Sequence, residues 1–446
     1  MKVRIKPRKS SSKIWKKAGK AYGFLKREFV KLVVVGSIVL SVGYLVFVIF
    51  LEKEKVIVQE ITVPDSLAKI GLTPDVAAKM IVDVLRHINQ QADTSMKKNQ
   101  IRGSQEKLDI KIKLPENFEI AGDILKYLKD TVGRSDTYVN GEIIEKTKDY
   151  EVRLVVLNPE HIATGVFRTD KHEKIIEILH LASKDVSKVI NPYVYTIYVE
   201  SEINEQCKWN DECDYHEVVI LFNEMINGGN ANFKKWAMLG YSVLAYRMKN
   251  YHDELVICKN LIDSFEDFSL GYVNKAFALN SMEKYDEAAQ FCKHYERHAS
   301  NNHMFYWNWA MALRGMQNKE AYELAIDKYN KSLDIKYTPE VFAELGYTHT
   351  LLEKVQDNEF AKYNYNETER VYPNLDESER TFQKGSKLFP SSSYLYLMWG
   401  RALMVKGDTG KAEEKFYKAI RYARDGEELR DAANEFEKAG NKVYNR

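Results

Sequence analysis

Hydrophobic and polar positions along this chain fall into three successive regimes. Residues 1–31 are dominated by Lys and Arg, and residues 32–51, LVVVGSIVLSVGYLVFVIFL, run for twenty positions without a charge. A helix of that length rises ~30 Å at ~1.5 Å per residue, the thickness of a bilayer's hydrocarbon core. A buried soluble helix has no need to be apolar on every side, so the pattern predicts one transmembrane helix over 32–51. Beyond it the pattern is mixed over 52–190 and helical from 191 to 446. The expected fold class is a single transmembrane helix, then a small α+β domain, then an all-α array of repeats.

Within 52–190, VIVQEITV (56–63) is rich in strand-forming residues, and Thr73-Pro74 is a helix start, with a capping hydroxyl and proline at the first helical position. Val76, Met80, Ile81, Val84, Leu85 and Ile88 follow at helical spacing. The polar stretch 92–107 reads as a loop, LDIKIKL (108–114) alternates as a half-buried strand, and a helix is expected over 121–132, ended by Gly133. TYVNGEII and DYEVRLVVL predict a hairpin with Lys146 and Lys148 near its turn, and a helix over 174–190 is closed by Asn191-Pro192. This order, with YVNGEIIEKTKDYEVRLVVL, then Thr164-Gly165 and a helix, resembles the amino-terminal domain type of the Tol-system protein TolB, although the opening strand lacks that type's aromatic end. The resemblance implies an envelope recognition module rather than a catalyst.

From 191 onward the helical pattern repeats. In YLYLMWGRALMVKGDTGKAEEKFYKAI (394–420), Trp399-Gly400, Leu403, Gly407, Ala412, Phe416 and Ala419 stand where a tetratricopeptide repeat has its large, small and turn residues. Ser378, Phe382 and Gly385 lie 34 residues before their counterparts, with Pro390 as the stop. Further units carry Leu345-Gly346; Trp309-Ala310, Leu313, Ala325, Tyr329 and Ser332; and Ala276, Leu279, Tyr285, Ala288 and Cys292. Residues 191–446 are therefore similar to tetratricopeptide-repeat proteins, whose small residues let paired helices approach while large ones fill the gap beside them. Four repeats are clear. Before residue 265 the pattern blurs to one or two: Tyr251 lies 34 before Tyr285, but Asp253-Glu254 only 33 before Asp286-Glu287. About 352–377 one repeat carries an insertion that reads as a surface loop, or as a docking element through Phe360, Tyr363, Tyr365 and Tyr372. Roughly 426–440 reads as the capping helix that a solenoid requires.

Charge fixes the expected topology. Residues 1–31 hold twelve Lys or Arg against Glu28 alone, or +11, so with +2 overall the remainder is about −9. Basic residues flanking a span stay on the cytoplasmic side. The N-terminus is thus expected in the cytoplasm and residues 52–446 outside it, with an uncleaved anchor because the span ends Phe50-Leu51-Glu52 rather than in small residues. The acidic outer part argues against nucleic acid as a partner. The tail, with Trp15, Tyr22, Phe24 and Phe29 among its lysines, suits an anionic lipid surface. Ser37 and Ser41, with Gly36 and Gly43 close by, would let two spans approach, so a homo-oligomer is a further expectation.

Candidate chemistry is sparse. Cys207 and Cys213 could close a small disulfide in an oxidising compartment, while Cys258 and Cys292 read as core. GDTGK (407–411) lacks the glycine spacing and the strand of a phosphate loop, and His294 and His298 share a helix face without a third ligand. No catalytic arrangement and no cofactor is expected. In the repeat family the first helix of each unit lines a groove. Aligned on that pattern, Asn274 and Asn308 share one groove position, with Phe277, Trp307, Met311, Tyr347 and Arg401 near them. Amides beside aromatics suit an extended peptide. The reading is a membrane-tethered extracytoplasmic scaffold that binds a protein or peptide partner in assembling an envelope complex. The alternative is an envelope sensor whose α+β domain binds a small ligand and whose repeats relay its state.

Overall fold

The computed structural model describes residues 55–103, 136–147, 149–157, 162–169, 174–207, 213–228, 230–363 and 375–444. The basic tail, the apolar run at 32–51, the strand expected at 108–114 and the helix expected at 121–132 lie outside them. Among the described residues no helix is long and apolar enough to cross a membrane. The chain divides into two compact units, the first comprising residues 55–88 and Lys97–Ile190, the second Asn89–Met96 and the chain from Asn191 onward.

The first unit is a five-stranded sheet in the order β2-β1-β3-β4-β5, with β1 Lys55–Thr62, β2 Gln100–Gly103, β3 Thr137–Glu145, β4 Tyr150–Leu157 and β5 Ile162–Thr169. β1 runs parallel to β2 and β3, and β3, β4 and β5 form an antiparallel meander. Strand alternation sends Val56, Val58, Val139, Ile143, Val152, Leu154 and Val156 to one face. Short α1 (Asp65–Ala68), α2 (Pro74–Gln91) and α3 (Ile175–Ile190) complete this unit's core with Leu67, Ile81, Leu85, Leu179 and Val186. Gly141 is required where the hairpin strands meet: a Cβ there would stand 2.7 Å from the Arg153 carbonyl oxygen.

Three expectations need correction here. The polar stretch 92–107 is not all loop, because β2 sits within it as a short edge strand that buries Ile101. Residues 162–169, for which the sequence pattern predicts no element, form β5. The apolar stripe of α2 holds except at its start: Ile81, Leu85 and Ile88 are buried and Met80 packs against the core, but Val76 is 41% exposed and Ala77 is buried in its place.

The second unit is a stack of helix pairs: α4 (Pro192–Gln206) with α5 (His216–Asn227), α6 (Ala231–Arg247) with α7 (Tyr251–Ser264), α8 (Ser269–Ser281) with α9 (Tyr285–Ala299), α10 (His303–Gly315) with α11 (Lys319–Ile335), α12 (Pro339–Tyr363) with α13 (Leu375–Leu388), and α14 (Ser393–Lys406) with α15 (Thr409–Tyr422), closed by α16 (Gly426–Tyr444). Two full pairs thus stand before residue 265, where the sequence pattern blurs. Each even-numbered helix also packs against the next even-numbered one, and the odd helices make no comparable contacts with each other. The even helices therefore lie closer together than the odd ones.

The 34-residue period is visible in the backbone. Lys249, Glu283 and Gln317 occupy the left-handed region at the even-to-odd turns, 34 residues apart, and Gly407 has φ 82° at the matching turn after α14. Asn250, Asn318 and Asp408 then cap the next helix through their side chains. At the corresponding place after Pro339 there is no turn: α12 continues through Glu353 to Tyr363. The insertion expected as a surface loop therefore begins as three further turns of helix, and only 364–374 lies outside the described residues.

Candidate functional site

Phe277, Met311, Tyr347 and Arg401 are each the ninth residue of an even helix, on α8, α10, α12 and α14 respectively. All four are half-buried, so each backs onto the stack while presenting part of itself outward. They form a ladder along the even-helix face. Trp307 stands one turn before Met311 on α10 and is also half-buried, with an indole N–H that has no hydrogen-bond partner among the described residues. Phe277 meets Tyr246 of α6 edge-on at 4.6 Å, and the Arg314 guanidinium lies 5.8 Å from the Tyr347 ring centre.

Polar side chains lace the even helices together beneath this ladder. Asn274 donates from Nδ2 to Ser242 Oγ on α6 at 2.8 Å, and Asn280 donates to the Asn308 carbonyl on α10 at 2.8 Å. Glu344 on α12 pairs with Arg314 on α10 at 3.1 Å and accepts from the Tyr394 hydroxyl on α14. Arg401 reaches Glu435 on α16 at 3.4 Å, and Lys406 reaches Glu353 at 3.0 Å. Burial works against the charge of Arg314, yet the Glu344 carboxylate and Tyr329 beside it hold the guanidinium above its ordinary value. Burial and the same carboxylate raise the Tyr394 phenol well above its usual range. A buried carboxylate stripped of such partners would cost several kcal/mol, ~3–5, so the Glu344 group fixes the spacing of three consecutive even helices.

The sequence-derived groove set is thus partly reassigned. Asn274, Phe277, Trp307, Met311, Tyr347 and Arg401 keep some exposure. Asn308 does not: it is 2% exposed, and its Nδ2 donates back to the Met304 carbonyl at 2.9 Å. Its equivalence with Asn274 holds in register, but α10 turns it into the stack, so it is a structural amide rather than a groove contact. Arg314, Glu344 and Tyr394 were missed by sequence reasoning. A signal existed, since Glu344 interrupts the otherwise apolar VFAELGY (341–347).

The remaining candidates resolve locally. Cys207 and Cys213 are joined as a disulfide with Cα atoms 5.6 Å apart. Cys258 and Cys292 are free and buried, and burial pushes the Cys258 thiol up to about 12. Both ring nitrogens of His298 are engaged, by Arg297 Nε at 2.9 Å and the Tyr272 hydroxyl at 3.4 Å. GDTGK is the turn after α14, with Gly407 in the left-handed conformation and Asp408 as cap. Among the described residues no group of three His, Cys, Asp or Glu side chains is arranged to hold a metal ion.

No family model matches this chain, and no curated protein matches it. Solved structures similar to it include TPR proteins. TTC0263, a thermophilic TPR protein of Thermus thermophilus, is 14% identical over 45% of this chain and 98% of its own, with a TM-score of 0.35. YrrB, described as a TPR protein with an unusual peptide-binding site, is 16% identical over 48% of this chain and 97% of its own, with a TM-score of 0.30. Yeast Tom70 is 12% identical over 85% of this chain and 78% of its own, with a TM-score of 0.42. The repeat architecture rests on the helix pairs and their 34-residue turns.

Proposed function

We propose that this chain is a non-enzymatic scaffold that binds an extended segment of a partner protein along its even-helix face. The observation that carries this reading is the ladder of Phe277, Met311, Tyr347 and Arg401, four half-exposed side chains of one register on four neighbouring helices. Packed helices stand ~8–10 Å apart, and an extended chain rises ~3.3 Å per residue. A bound segment would therefore meet a new rung about every third residue, three aromatic or apolar rungs followed by a cation. Tethering by residues 32–51, with the folded units outside the cytoplasm, is part of the same proposal. The Cys207–Cys213 bond supports it, because such bonds persist in oxidising compartments. The sheet unit is read with it as a recognition module of the TolB amino-terminal type, and the assembly as an envelope complex.

The test is photocrosslinking from the full chain in its native membranes. A photoreactive residue at Met311 should capture a partner, whereas one at Leu324, exposed on α11, should not. Trp307→Ala and Tyr347→Ala should each weaken capture roughly thirtyfold, the equivalent of ~2 kcal/mol for an anchoring aromatic, with helical content unchanged. Equal capture from both positions would refute the ladder. Protease applied to spheroplasts should digest the repeats; their survival until the membrane is broken would refute the topology.

A further inference from the structure

A cavity of about 230 Å³ opens at the first end of the stack, between α4 and α6 and beside the segment Asp93–Ser95 of the same unit. Its lining follows helical spacing on both sides, with Tyr193, Glu200 and Asn204 from α4 and Trp236 and Arg247 from α6. Met96, buried in a core cluster with Tyr193 and Phe222, pins the covering segment in place. The rings of Tyr193 and Trp236 lie 5.7 Å apart and form an aromatic wall.

Glu200 is the unusual member. Its side chain is only 8% exposed, and Oε1 accepts from Arg247 Nη1 at 2.9 Å. Its second oxygen has no hydrogen-bond partner among the described residues. Asn204 Oδ1 is already occupied by the Tyr215 hydroxyl at 2.6 Å. The lining holds two acidic groups, Glu200 and Asp93, and among the described residues one cation, Arg247, which is engaged by Glu200. An anion would therefore meet excess negative charge. A purely apolar ligand would cover the second carboxylate oxygen of Glu200 without pairing it, at ~1–3 kcal/mol. A positively charged donor relieves both. The volume is below the ~300–1,000 Å³ of pockets for drug-sized ligands, and corresponds to roughly eight waters at ~30 Å³ each.

We infer that this cavity binds an alkylammonium group, a primary amine on an unbranched apolar stem. The ammonium donates to the second oxygen of Glu200, and the stem and charge lie against the aromatic wall, where a cation is favoured over a ring face. This site is independent of the ladder on α8 to α14, so neither reading falls with the other.

Calorimetry on the full chain tests it with three probes: n-pentylammonium, n-pentanol as its neutral counterpart, and N-acetyl-lysine methylamide. Pentylammonium should bind about tenfold or more tightly than pentanol, a gap of at least ~1.4 kcal/mol. Binding of the lysine derivative as tight as that of pentylammonium would identify the natural amine as a polypeptide lysine; binding of the free amine alone would identify a small molecule. Glu200→Gln should weaken pentylammonium about tenfold or more. Because that variant also frees Arg247, Val243→Trp provides the second arm: it fills the cavity from a half-exposed lining position, leaves the ion pair intact and should abolish binding with thermal stability retained. Equal binding of pentanol and pentylammonium, no binding of either, or full binding by folded Val243→Trp would overturn the inference.

Discussion

The early and late parts of the stack build the same joint from different residues. Where an even helix crosses its odd partner, α14 and α15 use Gly400 against Phe416, and α12 and α13 use Gly346 against Phe382. At the same register α8 and α9 use Ala276 and Cys292, and α6 and α7 use Ser242 and Cys258. One arrangement gives the whole gap to an aromatic ring; the other divides it between two small side chains. All of these side chains are buried. What the joint needs is a filled volume, and the familiar residues are one way of filling it. The second way brings polar groups inside: Ser242 accepts from Asn274, and Glu254 lies one turn before Cys258 with a buried oxygen that has no partner among the described residues.

That difference should appear as opposite responses to pH, and the largest effect belongs to Glu254. Burial pushes its carboxyl from 4.5 up to about 8. A raised carboxyl keeps its proton in the fold longer than in the unfolded chain, so its contribution is full below pH 4.5 and is lost as pH rises toward 8. The whole interval corresponds to as much as ~5 kcal/mol. Stability of the early pairs to urea should therefore fall between pH 4.5 and about 8, and Glu254→Gln should remove most of that slope. An unchanged slope in the variant would show that the acid is not neutral inside.

The late part should fail at the other end of the scale. Burial, with Lys406 nearby, lowers His349 on α12 from 6.5 to about 4. A lowered histidine charges more readily when unfolded, so its stabilisation is present above pH 6.5 and is lost as pH falls to 4, by up to ~3 kcal/mol. His349→Gln should flatten this acid-side loss and leave the opposite slope from Glu254 alone, because repeats interact chiefly with their neighbours. If one variant altered both slopes, the stack would be unfolding as a single unit.

Packing gives the next effect. A Cβ on Gly400 would overlap the Phe416 ring, so Gly400→Leu should cost ~2–3 kcal/mol by overpacking. The loss should concentrate in α14 to α16, read as faster amide exchange there than in α8 and α9. Uniform loss along the stack would erase the distinction between early and late joints.

This contrast also explains how much was legible in the sequence. Gly400, Phe416, Gly346 and Phe382 carry a signal because glycine beside a ring has few other meanings, and the late pairs are readable from them. Ser242 and Cys258 carry none, since the same residues occur anywhere in a helix, and the early pairs blur although their geometry is regular. β2 was unreadable because four edge residues bury only Ile101. Asn308 was misplaced because register fixes position along a helix more firmly than which edge of the face turns inward. The Glu200 cavity depends on residues 93–95 meeting two helices a hundred residues away, which no local pattern encodes.

The smallest effect concerns the turns. Lys249, Glu283 and Gln317 hold φ of 59°, 58° and 56°, where a side chain crowds its own backbone, while the late turn uses Gly407. For an ordinary L-residue the left-handed region costs ~1–2 kcal/mol, and glycine enters it freely. Against that stands the greater freedom glycine gives the unfolded chain, worth ~0.4–1 kcal/mol in the other direction. Gln317→Gly should therefore stabilise α10 and α11 by up to ~1 kcal/mol, and Glu283→Gly should act alike on α8 and α9. Gly407→Gln, the reverse exchange, should destabilise α14 and α15 by a similar amount. Chemical unfolding of the three variants gives the comparison directly. Destabilisation by Gln317→Gly would mean that the early turns are held by more than their backbone angle, with Asn318 as the first neighbour to examine, since its side chain accepts from the Ala321 amide at 2.9 Å and anchors the helix that follows.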